Sequence, residues 1–161
     1  MAADPRKRQR FAQECVGLIE DYGFDGIEID WEYPGYEPHN GSPADRQNFI
    51  YLLKEVRGAL NDYQRRTGDS PINGGTFGLS VALPCGASNI VNIHIESIAK
   101  LVDVMNLMTF DFHSATEPVT GANSPLFDQE WDEEPGNSVD GCVQNYYSGG
   151  AGKYAQKISI G

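Results

Sequence analysis

The alternation of short apolar segments with longer amphipathic ones most constrains the fold of this chain. Segments typical of buried β-strands lie near residues 24–31, 77–84, 102–112 and 157–161. Segments with helical spacing of apolar residues separate them, and this order favours right-handed βαβ units with a parallel sheet. The sequence therefore predicts an α/β fold in a single domain that includes residues 1–161. The pattern alone leaves two forms open, a doubly wound sheet and an eight-stranded barrel.

The helical segments carry start and stop signals. Asp4-Pro5 is a cap followed by a first-turn proline, and Gly23 ends the first helix. Ser42-Pro43-Ala44-Asp45 is close to a capping box and begins the clearest helix, which Gly68 closes. The other predicted segments are a short helix, a weak helical stretch and a long acidic loop, at residues 94–100, 143–147 and 114–140.

The charge and the apolar runs exclude several classes of protein. The 161 residues carry 12 basic and 23 acidic side chains, which gives a net charge of −11. Because a polyanion would be repelled, we expect no nucleic-acid partner and no membrane partner. No apolar run approaches the roughly 20 residues that cross a bilayer, and the start has no secretory signal. No G-x-G-x-x-G follows a strand, so a dinucleotide cofactor has no support.

Three cysteines, Cys15, Cys85 and Cys142, are widely spaced in the chain. Their odd number and their spacing form neither a zinc site nor a disulfide framework, so we interpret them as small buried hydrophobic residues. A single Cys85–Cys142 bridge stays open as an alternative. The histidines have no partners at ligand spacing, and the sequence predicts no metal site.

Three acidic residues alternate with apolar ones near the end of the first predicted strand. Glu28, Asp30 and Glu32 point to one face because side chains alternate along a strand, and neighbours lie roughly 6.6 Å apart at about 3.3 Å of rise per residue. Carboxylates this close repel one another, so one of them is expected to hold a proton near neutral pH. The alternatives are an acidic strand facing solvent and a calcium loop. The calcium loop is disfavoured because the segment lacks a central glycine and a flexible loop.

These residues resemble the signature of a known enzyme family. Asp25 to Pro34 resembles the D-G-x-D-x-D-x-E signature of the glycoside hydrolase family eighteen chitinases, and Met105 to Phe112 is similar to the M-x-Y-D motif on their sixth strand. Leu79 to Pro84 resembles their fifth strand, and Thr120 to Leu126 resembles the loop after the sixth. The resemblance implies part of a (β/α)8 TIM barrel, from its fourth strand to the start of its seventh.

The resemblance also implies an activity and roles for individual residues. Family members hydrolyse β-1,4 bonds between N-acetylglucosamine units, and the acetamido oxygen of the substrate itself attacks the anomeric carbon. Glu32 would protonate the leaving oxygen, and Asp30 would orient the acetamido group. Glu28 would share the proton of Asp30, and Asp111 would hydrogen-bond the sugar. The implied substrate-binding residues are Tyr33, Met108, Phe110 and Trp31, the implied ligands are chitin or N-acetylglucosamine oligomers, and no cofactor is needed.

The sequence departs from the family pattern at two of these positions and in length. Glu28 stands where the family has an aspartate, and Phe110 stands where it has a tyrosine whose hydroxyl binds the acetamido oxygen. A barrel of this kind needs about 250 residues, so we expect the chain to be a fragment. Its two open sheet edges would favour self-association. We expect the longer parent protein to be secreted and this chain to begin inside it.

Three hypotheses for the function follow. The first is an enzyme, a chitinase or an N-acetylglucosaminidase of the same family, supported by Asp30 and Glu32. The second is a chitin-binding lectin without catalysis, which Phe110 favours and the retained Glu32 disfavours. The third is an inactive remnant of a chitinase gene, for which the isolated chain would have no cooperative fold.

Overall fold

The computed structural model describes residues 1–72, 74–114, 120–130 and 135–161. The strands in these residues are Gly26–Asp30 (β1), Gly78–Leu83 (β2), Val104–Leu107 (β3) and Ile158–Ile160 (β4). They form one sheet in the order β1-β2-β3-β4, and every neighbouring pair is parallel. The predicted α/β fold with parallel strands is confirmed.

The third strand is much shorter than the predicted segment 102–112. It ends at Leu107: the N–H of Met108 still donates to the carbonyl of Leu83 on β2, and the N–H of Thr109 then turns back to the carbonyl of Leu107 at 2.9 Å. Asp111 then has a left-handed backbone with φ of 57°, which an extended strand does not allow. The apolar residues beyond Leu107 therefore belong to a loop at the end of the strand.

Within the described ranges, five α-helices connect and cover the strands, and their bounds are Pro5–Tyr22 (α1), Asp45–Thr67 (α2), Ala87–Ile90 (α3), Ile95–Leu101 (α4) and Val139–Ser148 (α5). The same ranges contain two 3-10 segments, Glu37–His39 and Ala151–Lys157. Asp4 caps α1 by accepting from the N–H groups of Arg6 and Lys7, as its cap position predicts. Gly23 and Gly68 end α1 and α2 in the left-handed conformation.

Two helix starts differ from the prediction. Helix α2 begins at Asp45 with Ala44 at the cap position, and Asp45 Oδ2 accepts from the N–H of Ser42 at 2.8 Å. Helix α5 begins at Val139, four residues before the predicted stretch 143–147, because Ser138 Oγ accepts from the N–H of Gly141. The predicted loop 114–140 has no helix or strand up to Ser138 where it is described, but its last two residues belong to α5; residues 115–119 and 131–134 of it lie outside the described residues.

The two faces of the sheet differ in polarity, and this difference positions the site. Ile29, Val81 and Met105 are paired across β1, β2 and β3 and are buried with exposures of 6%, 0% and 0%. The apolar stripe of α2 packs into the same core, as predicted from its helical spacing; it consists of Phe49, Leu52, Leu53, Val56 and Leu60. The alternate residues of β1, Glu28 and Asp30, lie on the opposite, exposed face.

A disulfide bond joins the end of β2 to α5. Cys85 and Cys142 are bonded, although their favoured interpretation was two unpaired hydrophobic residues; the alternative pairing is the correct one. One turn further along α5, the buried Tyr146 donates its hydroxyl hydrogen to the carbonyl of Pro84 at 2.7 Å. Cys15 is buried and free, as interpreted. In the part of the chain that the structure describes, no helix is long and apolar enough to span a membrane.

The disulfide is expected to contribute strongly to stability. It closes a loop between residues 57 apart, so the paired change Cys85→Ala with Cys142→Ala should lower the free energy of unfolding by about 4 kcal/mol through the entropy of the unfolded chain. Urea unfolding monitored by near-ultraviolet circular dichroism measures this loss. The control is Cys15→Ala, which keeps the bond. A reductant should lower the urea midpoint of unfolding of the control and of the unchanged chain, but it should not change that of the double variant.

Candidate active site

A cleft of about 470 Å³ lies where β1, β2 and β3 end. The C-terminal ends of parallel strands meet at one edge of a sheet, which is also the catalytic edge of (β/α)8 barrels. Each of the three strand ends contributes to the walls, and one residue comes from the loop before α5. The residues that line the cleft are Asp30, Glu32, Tyr33, Pro84, Cys85, Gly86, Asn89, Met108, Phe110, Asp111, Phe112 and Asn137.

Glu32 lies just beyond the end of β1 and lines the cleft. The peptide bond between Glu32 and Tyr33 is cis. Burial raises the pKa of the Tyr33 hydroxyl far above its ordinary value, and the neighbouring Glu32 carboxylate raises it further, so this hydroxyl stays protonated. His39 Nδ1 lies 3.2 Å from the carbonyl oxygen of Glu32.

Asp30 is the last residue of β1, and it holds a proton more readily than an ordinary aspartate. Partial burial raises its pKa above 3.8, and the charges of Glu32 and Glu28 raise it further. Asp30 is therefore the carboxyl of the row that we expect to keep a proton. A protonated carboxyl at this edge of the cleft can donate a hydrogen bond to a ligand.

Glu28 lies one step down the same face and does not line the cleft. Its Oε2 accepts from Ser80 Oγ at 2.8 Å and also from Asn106 Nδ2. The sequence reasoning did not find these two donors. The signal that could have found Ser80 is the parallel register, which sets it directly opposite Glu28; Asn106 lies one strand further, opposite Ala82.

Asp111 reaches the cleft from the loop after β3. Its left-handed backbone turns the chain, and its Oδ1 accepts from Asn123 Nδ2 at 2.8 Å. The backbone pairs too, since the N–H of Phe112 donates to the carbonyl of Asn123 at 3.0 Å. Asn123 was not singled out as a site residue, but it lies in the segment Thr120 to Leu126 whose resemblance to a family loop marked it.

Of the remaining predicted residues, two line the cleft and one does not. Met108 and Phe110 line it, and the ring of Phe110 is 44% exposed there. Trp31 lies on the other face of the chain, where its ring packs edge-on against Phe49 with centroids 5.6 Å apart. Trp31 thus packs against the core, and it also lines a neighbouring pocket together with Asp30 and Tyr33. In the described ranges, no three His, Cys, Asp or Glu residues are grouped as metal ligands.

Parallel strands whose C-terminal ends carry a cluster of acidic residues beside a cleft are the arrangement of α/β-barrel glycosidases. Residues 1–161 match the family model described as glycosyl hydrolases family 18, and the chain belongs to that family. The resemblance carried by the two acidic motifs is thereby confirmed.

Relatives of known name support the same family. The chain is 35% identical over 162 residues to Chitinase 1 of Aphanocladium album, which is 99% of this chain and 35% of that protein. It is 32% identical to mouse Chitotriosidase-1 over 81% of this chain and 27% of that protein. A solved chitinase of Bacillus thuringiensis superposes with a TM-score of 0.89 at 33% identity, covering 99% of this chain and 25% of that one. The chain thus spans about a third or less of these relatives.

The raised pKa of Asp30 makes a prediction about stability. The folded chain binds this proton more tightly than the unfolded chain, so the stabilisation is fully present below pH 3.8 and is lost as the pH rises through the folded pKa. Asp30→Asn should therefore be more stable than the unchanged chain at pH 7, by about 0.5 kcal/mol because solvent screens exposed charges. At pH 3 the two should unfold alike. Urea unfolding at both pH values measures this, and an equal difference at pH 3 and pH 7 would contradict it.

Proposed function

We propose that this chain carries the catalytic carboxylates of a domain that hydrolyses β-1,4 bonds between N-acetylglucosamine units. The observation that carries the proposal is the meeting of Asp30, Glu32 and Asp111 in one cleft at the C-terminal ends of the strands. Family membership and relatives whose names are chitinases support it. The cleft has no lysine or arginine among its lining residues, which suits a neutral sugar better than an anionic substrate.

The proposed mechanism uses the substrate as its own nucleophile. Glu32 gives its proton to the glycosidic oxygen as the bond to the anomeric carbon breaks. The acetamido carbonyl oxygen forms a bond to that carbon from the opposite side, which gives an oxazolinium ion. Asp30 orients the acetamido group and stabilises the positive charge. Water then attacks the anomeric carbon, Glu32 takes a proton from it, and the ring bond to the acetamido oxygen breaks with retention of configuration.

The surroundings of each carboxyl agree with these roles. Glu32 lines the open cleft beside Tyr33, so its carboxyl can reach a substrate. Asp30 carries the raised pKa that a hydrogen-bond donor to the acetamido group needs. Asp111 is fixed by Asn123 at the facing wall and is suited to hydrogen-bond a sugar hydroxyl.

The direct test is Glu32→Gln, which removes the proton donor and keeps the shape. Hydrolysis of N-acetylglucosamine oligomers by the chain should fall by about 10²- to 10⁴-fold, the usual contribution of a general acid. Glu37→Gln is the matched control, since Glu37 is exposed and lies outside the cleft, and its activity should be unchanged. Equal hydrolysis by Glu32→Gln and the unchanged chain, or no hydrolysis by either, would contradict the proposal.

The second candidate is a carbohydrate-binding module without catalysis. Phe110 favours it, because its ring lines the cleft where the family tyrosine would offer a hydroxyl to the acetamido oxygen. A binding module would take up oligomers with the same affinity before and after Glu32→Gln, and neither form would turn them over. Isothermal titration calorimetry with N-acetylglucosamine oligomers separates this candidate from the enzyme.

Phe110 lacks the hydroxyl of the family tyrosine, so restoring that hydroxyl is expected to increase the rate of hydrolysis. A donor to the developing charge contributes about 2–4 kcal/mol, so Phe110→Tyr should raise the hydrolysis rate on the order of 10²-fold. Phe127→Tyr is the control: its ring is 62% exposed and outside the residues that line the cleft. A rate increase in both variants, or in neither, would argue against a substrate contact at residue 110.

Two further expectations stay predictions. Secretion of the longer protein is supported by the Cys85–Cys142 bond, because disulfides persist in oxidising compartments. Self-association through the sheet edges is supported by the strand order, in which β1 and β4 each have one unpaired side among the described residues.

A further inference from the structure

Asn137 is a polar residue of the cleft that no motif in the sequence marks. It lies just before α5, far along the chain from β1, and it lines the cleft together with Asp30 and Glu32. Its side chain is half-buried, and its amide makes no hydrogen bond with any other of the described residues. An amide that the protein leaves unpaired beside a cleft keeps its donors and its acceptor for a ligand.

Asp128 holds the chain on both sides of Asn137. Its Oδ2 accepts from the N–H of Gly136 at 2.8 Å, and its Oδ1 accepts from the hydroxyl of Ser138. The hydrogen bond from Ser138 lowers the pKa of Asp128, and the hydrogen bond from Gly136 lowers it further. The carboxylate therefore stays ionised at neutral pH, and this one side chain fixes both neighbours of Asn137.

The first turn of α5 also fixes the segment that carries Asn137. A Cβ on Gly141 would lie 2.5 Å from the Cα of Gly136, so the segment packs directly on the helix backbone. Gly136 has a φ of 93°, which residues with a Cβ rarely adopt. The Cys85–Cys142 bond ties this turn to the end of β2, where Cys85 itself lines the cleft. Through these contacts Asn137 reaches a site that is formed mainly by the strand ends.

We propose that Asn137 is a substrate-binding residue whose amide donates a hydrogen bond to an oxygen of the sugar, and that Asp128 is its positioning residue. The cleft is lined by three acids, and because carboxylates mainly accept hydrogen bonds, sugar oxygens there need further donors. Asp128 does not line the cleft, so we expect it to act on the ligand through Asn137. The inference deepens the proposed function and rests on it, but binding is measured without turnover.

The test is isothermal titration calorimetry of N-acetylglucosamine oligomers in the Glu32→Gln chain, in which hydrolysis is suppressed. Adding Asn137→Ala should raise the dissociation constant by about 2- to 10-fold, which corresponds to one neutral hydrogen bond. The matched control is Asn61→Ala, because Asn61 is an exposed amide on α2 outside the cleft; it should leave the constant unchanged. With Glu32 intact, Asn137→Ala should raise KM and change kcat little, since this contact is made before and during the reaction.

The positioning role of Asp128 is tested by Asp128→Asn, which keeps the shape of the side chain. An amide has one oxygen to accept, so one of the two hydrogen bonds is lost and oligomers should bind more weakly. In a chain that already carries Asn137→Ala, the same change should have no further effect. Asp140→Asn is the control, since it removes a charge from the first turn of α5 and keeps both hydrogen bonds of Asp128. An equal loss of affinity with and without Asn137 would overturn the positioning role.

A second variant, Asn137→Asp, keeps the test decisive if Asn137→Ala disturbs the fold. It has the same shape but no donor, so it should also weaken binding. Unchanged affinity in both variants would overturn the inference, and the proposed function would stand if the chain with Glu32 intact still hydrolysed oligomers. Weaker binding by both variants of a chain that does not hydrolyse oligomers would support the inference and contradict the proposed function. Absence of binding by the Glu32→Gln chain itself would contradict both.

Discussion

The parallel register of β1, β2 and β3 is the constraint on which the site depends. It brings three strand ends to one edge, so side chains from distant parts of the sequence meet around one cleft. The register begins at a close approach of two glycines: a Cβ on Gly26 would lie 2.5 Å from the carbonyl oxygen of Gly78. Just before it, Asp25 Oδ1 accepts from the N–H of Ile72 and so fixes the chain that leads into β2. Asp25, the first acid of the segment Asp25 to Pro34, therefore stabilises the sheet and does not line the cleft.

The distribution of charge over the sheet follows from this geometry. At the N-terminal edge, Arg57 donates to the carbonyls of Phe77 and Leu101 and pairs with Asp103 at 2.5 Å, while Lys157 donates to the carbonyls of Ala99 and Val102. These two cations donate hydrogen bonds to backbone carbonyls, and Arg57 also forms an ion pair with Asp103, away from the cleft. At the C-terminal edge, neutral donors such as Asn123 and Asn106 hold the acids instead. Repulsion among the acids is therefore left in place, and it adds to the effect of burial in raising the pKa of Asp30.

Local patterns in the sequence were sufficient for the fold class and for most of the cleft. Alternation along β1 separates Ile29 from Glu28 and Asp30, and that separation is what the structure has. The caps at Asp4, Gly23 and Gly68 were also predictable, because each depends on residues within one turn. The end of β3 was not, since the apolar run continues to Phe112 while the chain already turns at Thr109, whose N–H donates to the carbonyl of Leu107. The bond between Cys85 and Cys142 could not be predicted from local patterns either, because it depends on how α5 packs against the end of β2.

Trp31 and the donors of Glu28 show why a motif alone does not assign roles. Trp31 belongs to the signature, yet its ring packs against Phe49 in the core and does not line the cleft. Ser80 and Asn106 lie outside the acidic motif, yet both bond its second acid. A residue's part in the chemistry is decided by the face it occupies and by its partners on the next strands. On that basis the chemistry of this site is a property of three adjacent strands, with the charge on β1 and the groups that fix it on β2 and β3.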